Sequence, residues 1–245
     1  IAPETAGLLA RCAETVEDEW HRGRLLGCTR EAIELTSDKL TLAHHWKAHG
    51  VRTPATSDRA PTPCELFPVV WKPRDGAGSA DTFLIRDRFE LAAALATSGP
   101  QRPMILQEFV HGKAASVAFL CGPHEAIPLV PAFQTLSADG RLKYLGGELP
   151  IPPDLATRAV TIARAAVGCV PGLFGYVGVD VVLGDSPDGS GDHAIEINPR
   201  LTTSYLGLRR LAGFNLAAAM LAVARGEPVA PAPWKNEVVR FGAGG

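Results

Sequence analysis

The sequence predicts an α+β protein whose strands form antiparallel sheets. Segments with apolar residues at helical spacing alternate irregularly with short runs rich in β-branched and aromatic residues. Neighbouring strand segments are joined by short turns or loops, as in antiparallel pairing, and no regular strand–helix–strand series is present. With 245 residues, of which 46% are hydrophobic and 20% charged, the chain suffices for one large domain or two small ones.

Helical spacing predicts helices at 6–20 and 30–49, and Gly50 ends the second before Pro54. A Pro-rich connector at 53–63 follows. Next come, in chain order, a strand at 67–72, a glycine turn at 75–79, a strand at 82–85, a helix at 88–97, and strands at 104–110, 115–120, 127–134 and 142–146, with a turn at 138–140. The last part predicts a helix after Pro153, strands at 176–183 and 193–198 joined by the hydrophilic loop 184–192, and a closing helix at about 205–225.

Charge and cysteine usage favour small-molecule partners in a reducing compartment. The net charge is −2 and the 24 basic residues are scattered, so neither nucleic acid nor a membrane surface is expected as a partner. No run has the length of a membrane span, and no signal peptide is recognisable. The five cysteines lie far apart without a C-x-x-C pair, which favours reduced thiols and a cytoplasmic location: Cys12, Cys28, Cys64, Cys121 and Cys169. The chain opens at Ile1 without methionine, so we expect a missing upstream segment.

Polar side chains occupy one side of the strand at 193–198. Alternation on a strand predicts that Ala194, Glu196 and Asn198 share one face, while Ile195 and Ile197 lie on the opposite, apolar face. A one-sided polar row on an otherwise apolar strand is typical either of a solvated sheet face or of a ligand site.

The preceding strand places a second carboxylate on a matching face. Asp180 alternates with valines, and a hairpin through 184–192 brings it near Glu196 and Asn198. Two neighbouring carboxylates repel each other unless a cation lies between them, and oxygen ligands suit Mg²⁺. The spacing alone leaves two interpretations open: a magnesium site, or the polar face of a solvated sheet.

A lysine and a glycine loop form the second signal. Lys72 ends a short apolar strand directly before a loop in which Gly76 and Gly78 allow backbone N–H groups to approach an anion closely. The loop is neither a Walker A motif nor a dinucleotide fingerprint. By itself, Gly-x-Gly is more often a tight turn, so this signal gains weight only from its neighbours.

Four motifs in the same order resemble the ATP-grasp superfamily over nearly the whole chain. They are Ser37-Asp38-Lys39-Leu40 with the following Gly50-Val51-Arg52-Thr53-Pro54; Val70-Trp71-Lys72-Pro73 with Gly76-Ala77-Gly78-Ser79; Ile105-Leu106-Gln107-Glu108-Phe109-Val110-His111-Gly112; and Asp180 with Glu196, Asn198, Pro199 and Arg200. Each motif is loose, but the set of four in register is specific. The resemblance implies an ATP-grasp fold, in which two α+β subdomains with antiparallel sheets hold ATP.

The resemblance assigns roles to particular residues. It implies nucleotide-binding residues that contact phosphate, form a mobile glycine loop or hold adenine: Lys39, Lys72, Gly76, Gly78, Ser79, Gln107, Glu108, Phe109 and Val110. It implies Asp180, Glu196 and Asn198 as ligands of Mg²⁺, two ions being expected and Mn²⁺ being a substitute. Arg200 and Lys72 are implied as catalytic residues that stabilise the transferred phosphoryl group. Many members carry a ribose-binding acid where 113–116 stands, and no acid is present there, so the ribose contact is unassigned.

Within the superfamily, three phrases are similar to the tyramine–glutamate ligase group of methanofuran-type cofactor synthesis: Pro131-Ala132-Phe133-Gln134, Tyr144-Leu145-Gly146-Gly147-Glu148-Leu149-Pro150, and the stretch from Asn198 to Tyr205. This resemblance implies that ATP activates a carboxylic acid, such as glutamate, as an acyl phosphate, and that an amine, such as tyramine, then forms an amide. The alternatives are an ATP-grasp phosphotransferase and a nucleotide-binding module without turnover.

The resemblance also predicts a domain organisation. Residues 1–37 are expected to be the truncated end of a preceding α/β domain, residues 38–110 the small ATP-grasp subdomain, and residues 111–245 the large subdomain with the magnesium site. A homodimer is left open as a partner arrangement.

Overall fold

The computed structural model describes residues 4–19, 25–59, 67–76, 78–79, 81–97, 102–229 and 233–242. Cys64 and the end of the expected connector, 60–63, lie outside these residues. The helices are α1 (Leu8–Glu19, preceded by a 3₁₀ turn at Thr5–Gly7), α2 (Arg30–Ser37), α3 (Lys39–Ala48), α4 (Arg88–Thr97), α5 (Pro153–Gly168), α6 (Ser204–Leu211) and α7 (Leu216–Ala224). The strands are β1 (Thr56–Ser57), β2 (Val69–Pro73), β3 (Phe83–Ile85), β4 (Met104–Glu108), β5 (Lys113–Cys121), β6 (Ala126–Pro128), β7 (Ala132–Leu136), β8 (Tyr144–Leu149), β9 (Gly175–Leu183), β10 (His193–Asn198) and β11 (Val239–Gly242).

Two antiparallel sheets form the framework, as the sequence predicts. The smaller sheet has the order β1-β4-β2-β3, and the larger has the order β10-β9-β5-β7-β8-β11, with β6 paired to β5. Every strand pair in both sheets is antiparallel. Strands β5 and β9 carry nearly continuous runs of buried residues, so successive side chains bury apolar surface on both faces of the larger sheet.

Helices cover both faces of the larger sheet. On one face, side chains of α1, α2, α3 and α5 pack on Val177 and Val179 of β9. On the other face, α6 and α7 pack on Leu120 of β5 and on Tyr176 of β9. The smaller sheet has its own core, in which Leu91 of α4 packs against Val69, Trp71 and Ile85. The segment before residue 38 therefore packs into the core of the larger sheet, and the expected domain boundaries remain a prediction.

The helix predicted over 30–49 is wrong as a single element, because the chain breaks at Asp38. Asp38 has extended backbone angles, and its side chain accepts hydrogen bonds from the backbone N–H groups of Leu40 and Thr41 at the start of α3. An aspartate that caps a new helix cannot continue the previous one. The same carboxylate accepts two hydrogen bonds from Arg74, from Nε at 2.8 Å and from Nη2 at 2.6 Å.

Three other predicted elements also differ. The closing helix divides into α6 and α7, because Asn215 caps α7 with a hydrogen bond from the N–H of Ala218. The strand predicted over 127–134 divides into β6 and β7, and the strand predicted at 142–146 runs instead from Tyr144 to Leu149. Strands β1 and β11 were not predicted; each is short and lies at a sheet edge. None of the helices in the described ranges combines the length and apolar character that a bilayer span requires.

The Asp38 contacts generate a stability prediction. Burial acts to raise the pKa of Asp38, but hydrogen bonds from Arg74 and from the Thr41 backbone outweigh it and lower the pKa below its usual value. Asp38→Asn keeps a capping oxygen and loses the charge, so it should lower the free energy of unfolding at pH 7 by about 0.5–1 kcal/mol. Asp38→Ala also removes the cap and should cost roughly 1 kcal/mol more.

The pH dependence of this difference distinguishes the charge from the cap. Because the pKa is lower in the folded state, the charge contributes stability above the unfolded-state pKa of about 3.9, and this contribution is lost as pH falls through the folded-state pKa. In urea unfolding, the difference in the free energy of unfolding between wild type and Asp38→Asn should become smaller below about pH 4. A gap that stays constant down to the acid-unfolding limit would contradict the charged contact.

Candidate active site

A cleft of about 890 Å³ lies between the two sheets and contains all the residues that the sequence selected. Its walls come from β2 and β4 on one side and from β5, β7, β9 and β10 on the other. The selected residues that line it are Lys39, Lys72, Gly76, Gly78, Ser79, Gln107, Glu108, Phe109, Val110, Asp180, Glu196, Asn198 and Arg200. Residues far apart in the chain therefore meet at one place, although this proximity leaves their individual roles as predictions.

The hairpin of β9 and β10 places the two carboxylates opposite each other. Glu196 pairs with Asp180, and a register shift between Ala194 and Glu196 makes Ile195 the extra residue of a bulge. The predicted face of Ala194 is therefore wrong, because Ala194 is fully buried in the core. Ile195, which was expected on the apolar face, lines the cleft instead. The bulge keeps Ile197 in the core and Glu196 in the cleft.

Two lysines approach these carboxylates from the other side of the cleft. Lys39 is the first residue of α3, and its Nζ lies 3.9 Å from Glu196 Oε2 and donates to Gly76 O at 2.8 Å. Lys72 on β2 is 7% exposed. Burial, together with the neighbouring charge of Lys39, lowers the pKa of Lys72 to about 8, although Glu196 and Asp180 act to raise it. The backbone N–H of Lys39 also donates to Arg74 O at 3.0 Å, which ties α3 to the end of β2.

The two carboxylates have opposite pKa shifts. Burial and the negative charge of Glu196 raise the pKa of Asp180 well above its usual value. For Glu196, burial acts in the same direction, but the positive charges of Lys39 and Lys72 outweigh it, so the pKa of Glu196 is lowered. Asp180 thus lies where a second negative charge is unfavourable unless a cation compensates it.

Two amides contact Asp180. Gln134 Nε2 donates to Asp180 Oδ1 at 2.8 Å, and Asn198 Nδ2 donates to Asp180 Oδ2 at 3.2 Å. The Asn198 oxygen accepts from Arg200 Nη2 at 3.3 Å. The amide of Asn198 therefore connects the carboxylate pair to the arginine that follows it.

Arg200 lines the cleft and is held there by contacts on both sides of its guanidinium, while its expected role toward a phosphoryl group remains a prediction. Its Nε lies 2.8 Å from Glu4 Oε1, and its Nη1 donates to Leu201 O at 3.1 Å. The backbone N–H of Arg200 donates to Asn198 O at 2.8 Å, which makes a tight turn around Pro199. The guanidinium is thus fixed on the chain beside the carboxylate pair.

The glycine loop and residues 107–110, at the end of β4 and directly after it, also line the cleft. Gly76 and Gly78 have positive φ angles of 101° and 75°, which glycine adopts readily. In the segment expected to hold adenine, the N–H of Glu108 donates to Ala55 O at 2.8 Å and that of Phe109 to Pro68 O at 3.3 Å. Gln107 is buried, and its amide donates to Thr56 Oγ1 at 3.0 Å.

Sequence reasoning missed four cleft or near-cleft residues. Gln134 and Tyr144 lie in phrases that were quoted without a role, and both line the cleft. Burial and then the charge of Asp180 raise the pKa of Tyr144 to about 12. Thr5 lines the cleft and Glu4 contacts Arg200, and no local signal in the first residues indicates this, because the contacts depend on the tertiary fold.

The donor set fits a hard cation and a phosphorylated ligand. Two carboxylates and a carboxamide supply oxygen atoms of the kind that Mg²⁺ prefers, and the raised pKa of Asp180 indicates a place where a cation would be favourable. Within the described residues, no group of three His, Cys, Asp or Glu side chains has metal-binding geometry. A magnesium ion held here would therefore need the Asn198 oxygen or ligand oxygens to complete its coordination. The cleft volume lies in the range of small-molecule sites.

Comparison with known proteins identifies the family. The model of the ATP-grasp domain matches residues 36–204, and the chain belongs to this family. The fold is likewise similar to a solved ATP-grasp superfamily protein from Archaeoglobus fulgidus, with a TM-score of 0.71 and 27% identity over 98% of this chain and 73% of that one. The α+β ATP-grasp fold predicted from the sequence is confirmed.

Two curated relatives are ligases. The chain is 32% identical over 209 residues to tyramine–L-glutamate ligase of Methanocaldococcus fervens, covering 85% of this chain and 60% of that protein. It is 31% identical over 212 residues to the tyramine–L-glutamate ligase of Methanocaldococcus jannaschii, covering 85% of this chain and 57% of that protein. The chain thus spans less than two thirds of the length of these relatives.

Proposed function

We propose that this protein is an ATP-dependent carboxylate–amine ligase that forms an amide through an acyl phosphate. The observation that carries the proposal is the meeting of two lysines and two carboxylates in one cleft: Lys39, Lys72, Asp180 and Glu196. An enzyme that transfers the γ-phosphoryl group of ATP needs positive side chains that bind the phosphates and oxygen ligands that hold a metal ion. Membership of the ATP-grasp family and the two curated ligases support the same activity.

Each charged group has a role in binding. Lys39 and Lys72 would hold the nucleotide phosphates, and the loop with Gly76, Gly78 and Ser79 would cover them and exclude water. The segment 107–110 would hold the adenine. Asp180, Glu196 and Asn198 would hold Mg²⁺, with Mn²⁺ as a substitute; the bound cation would neutralise phosphate charge. The positive charges of Lys39 and Lys72 both act on Glu196, so the fold itself places cations and a metal-binding carboxylate side by side.

The reaction would proceed in two steps. A carboxylate oxygen of the acid attacks the γ-phosphorus, the bond to the β,γ-bridging oxygen breaks, and ADP leaves. The amine nitrogen then attacks the acyl carbon, inorganic phosphate leaves with the former carboxylate oxygen, and the nitrogen loses a proton. Arg200 and Lys72 would stabilise the negative oxygens of the phosphoryl group during the first step, because both lie at the cleft and both can present a positive charge.

The substrates are proposed from the relatives and from the cleft wall. The curated ligases join tyramine and L-glutamate, so we propose glutamate as a candidate acid and an aryl-ethyl amine such as tyramine as a candidate amine. Leu136, Leu142 and Leu206 line the cleft together with Tyr144, and these apolar side chains favour an amine with an apolar body. We also propose that residues 38–110 and 111–245 act as the two subdomains of the grasp.

A product assay tests the reaction class. With ATP, Mg²⁺ and a panel of amino acids and amines, ADP and phosphate should form at an appreciable rate only when an acid and an amine are both present. Hydroxylamine in place of the amine should yield an acyl hydroxamate, because an activated acyl group precedes the amide. A stable phosphorylated product that needs no amine would indicate a phosphotransferase, and nucleotide binding without any turnover would indicate a binding module.

Lysine-to-methionine substitutions test the phosphate contacts. Methionine keeps most of the side-chain length and removes the charge. Lys39→Met and Lys72→Met should therefore each lower the affinity for ATP on the order of 10-fold or more, while the affinity for adenosine stays within about 2-fold of wild type. Titration calorimetry measures both affinities. Lys47→Met is the matched control, because Lys47 lies exposed on the same helix as Lys39. Equal weakening of ATP and adenosine would show that the lysines act only through the fold.

A further inference from the structure

The segment Glu4–Gly7, at the start of the described chain, forms part of the cleft wall. Thr5 lines the cleft, and the backbone N–H of Ala6 donates to Asp75 Oδ2 in the glycine loop at 2.9 Å. A Cβ atom on Gly76 would lie 3.2 Å from Thr5 Oγ1, so the segment and the loop are in close contact. Residues at the beginning of the chain thus touch the loop expected to cover the phosphates.

Glu4 is the charged residue of this segment, and it is deeply buried. Its side chain is 4% exposed and lies 2.8 Å from Arg200 Nε, although this N–H is not aligned for a hydrogen bond. Within the described residues, neither Glu4 oxygen has a hydrogen-bond donor at good geometry. A buried carboxylate without such donors is unfavourable unless a cation compensates it, and Arg200 is the cation placed to do so.

Glu4 lies next to residues of the candidate site, and not only among core residues. A small space beside it is lined by Lys39, Gly76, Glu196 and Asn198, which are all residues of the candidate site. Glu4 therefore lies beside residues of the candidate site and is itself shielded from solvent.

The protein contacts of Arg200 use some, but not all, of the N–H donors of its guanidinium. The group has five N–H bonds. Nε faces Glu4, one Nη1 proton goes to Leu201 O, and one Nη2 proton goes to the Asn198 oxygen. Among the residues that the structure describes, these three partners hold the plane of the guanidinium, and its other two N–H bonds have no partner, while the residue lines the cleft.

We propose that Glu4 is a positioning residue that orients Arg200 toward the terminal phosphoryl group of the bound nucleotide. The inference rests on the proposed function, because it assigns Arg200 to that group. A carboxylate behind the guanidinium fixes its plane and keeps its charge in place, so the remaining N–H bonds face one point in the cleft. The segment 4–7 contacts both Arg200 and the glycine loop, so it links the two parts of the protein that surround the phosphates.

The test compares nucleotides that differ in the terminal phosphate, and it needs neither acid nor amine. The selectivity ratio is the dissociation constant of ADP divided by that of adenylyl imidodiphosphate, both measured by calorimetry with Mg²⁺. We expect Glu4→Gln to lower this ratio on the order of 10-fold, while the affinity for ADP stays within about 2-fold of wild type. Glu4→Asp keeps the charge but shortens the side chain, so its ratio should lie between those of wild type and Glu4→Gln. If Glu4→Gln does not fold, a wild-type ratio in Glu4→Asp overturns the proposal.

A double-mutant cycle separates positioning from a general effect on the fold. Arg200→Met should lower the ratio, and adding Glu4→Gln to Arg200→Met should lower it by less than about 2-fold more, because Glu4 acts through Arg200. If Glu4→Gln lowers the ratio as much in Arg200→Met as it does in wild type, the proposal is overturned.

Asp192→Asn is the matched control, because Asp192 is also 4% exposed in its side chain and binds an arginine, Arg158, outside the cleft. It should lower the melting temperature and leave the nucleotide ratio unchanged. Failure of the wild type to bind either nucleotide would overturn the proposed function and this inference together, and equal affinity of the wild type for ADP and the analogue would overturn this inference alone. A wild-type ratio in folded Glu4→Gln would overturn this inference alone.

Discussion

The contact between Asp38 and Arg74 fixes the relative position of the elements that carry the site lysines. Asp38 ends α2 and caps α3, so Lys39 becomes the first residue of a helix. The same carboxylate holds Arg74 with two hydrogen bonds, two residues after Lys72, and the N–H of Lys39 binds Arg74 O. A helix start and a strand end are thereby joined, and the two lysines enter the cleft from neighbouring positions. A continuous helix through residue 38, as its spacing alone predicts, would lose this connection.

Charge balance is the second constraint on the cleft. Lys39 and Lys72 compensate Glu196, while Asp180 depends on donors from Gln134 and Asn198 and keeps a raised pKa. The site thus has cations on the side of β2 and α3 and oxygen ligands on the hairpin of β9 and β10. This separation of charge suits a ligand that carries phosphate and a divalent cation together, and it is set by the protein before any ligand binds.

Motif order was sufficient to predict the fold class, and it selected residues that do lie in one cleft, because each motif carries its chemistry within a few positions. The failures have local physical causes. The helix breaks at Asp38 because its side chain caps α3, which helical spacing does not reveal, and the arginine that holds this carboxylate, Arg74, is distant in sequence. The bulge at Ile195 reverses the faces of Ala194 and Ile195 without a glycine or proline to mark it. The pairing of Arg200 with Glu4 is a tertiary contact across almost the whole chain, so periodicity could not predict it. Gln134 was visible only as part of an unassigned phrase, because its hydrogen bond to Asp180 joins strands that are far apart in the sequence.

If the hairpin carboxylates bind a divalent cation together with a nucleotide, the affinity for the nucleotide must depend on Mg²⁺ through Glu196. Wild type should bind adenylyl imidodiphosphate more tightly in Mg²⁺ than in EDTA, by about 10-fold or more, and Glu196→Gln should lose this gain without losing affinity in EDTA. Glu148→Gln, on β8 and paired with Arg240, is the control and should keep the gain. An unchanged magnesium dependence in Glu196→Gln would show that the hairpin carboxylates do not hold the cation.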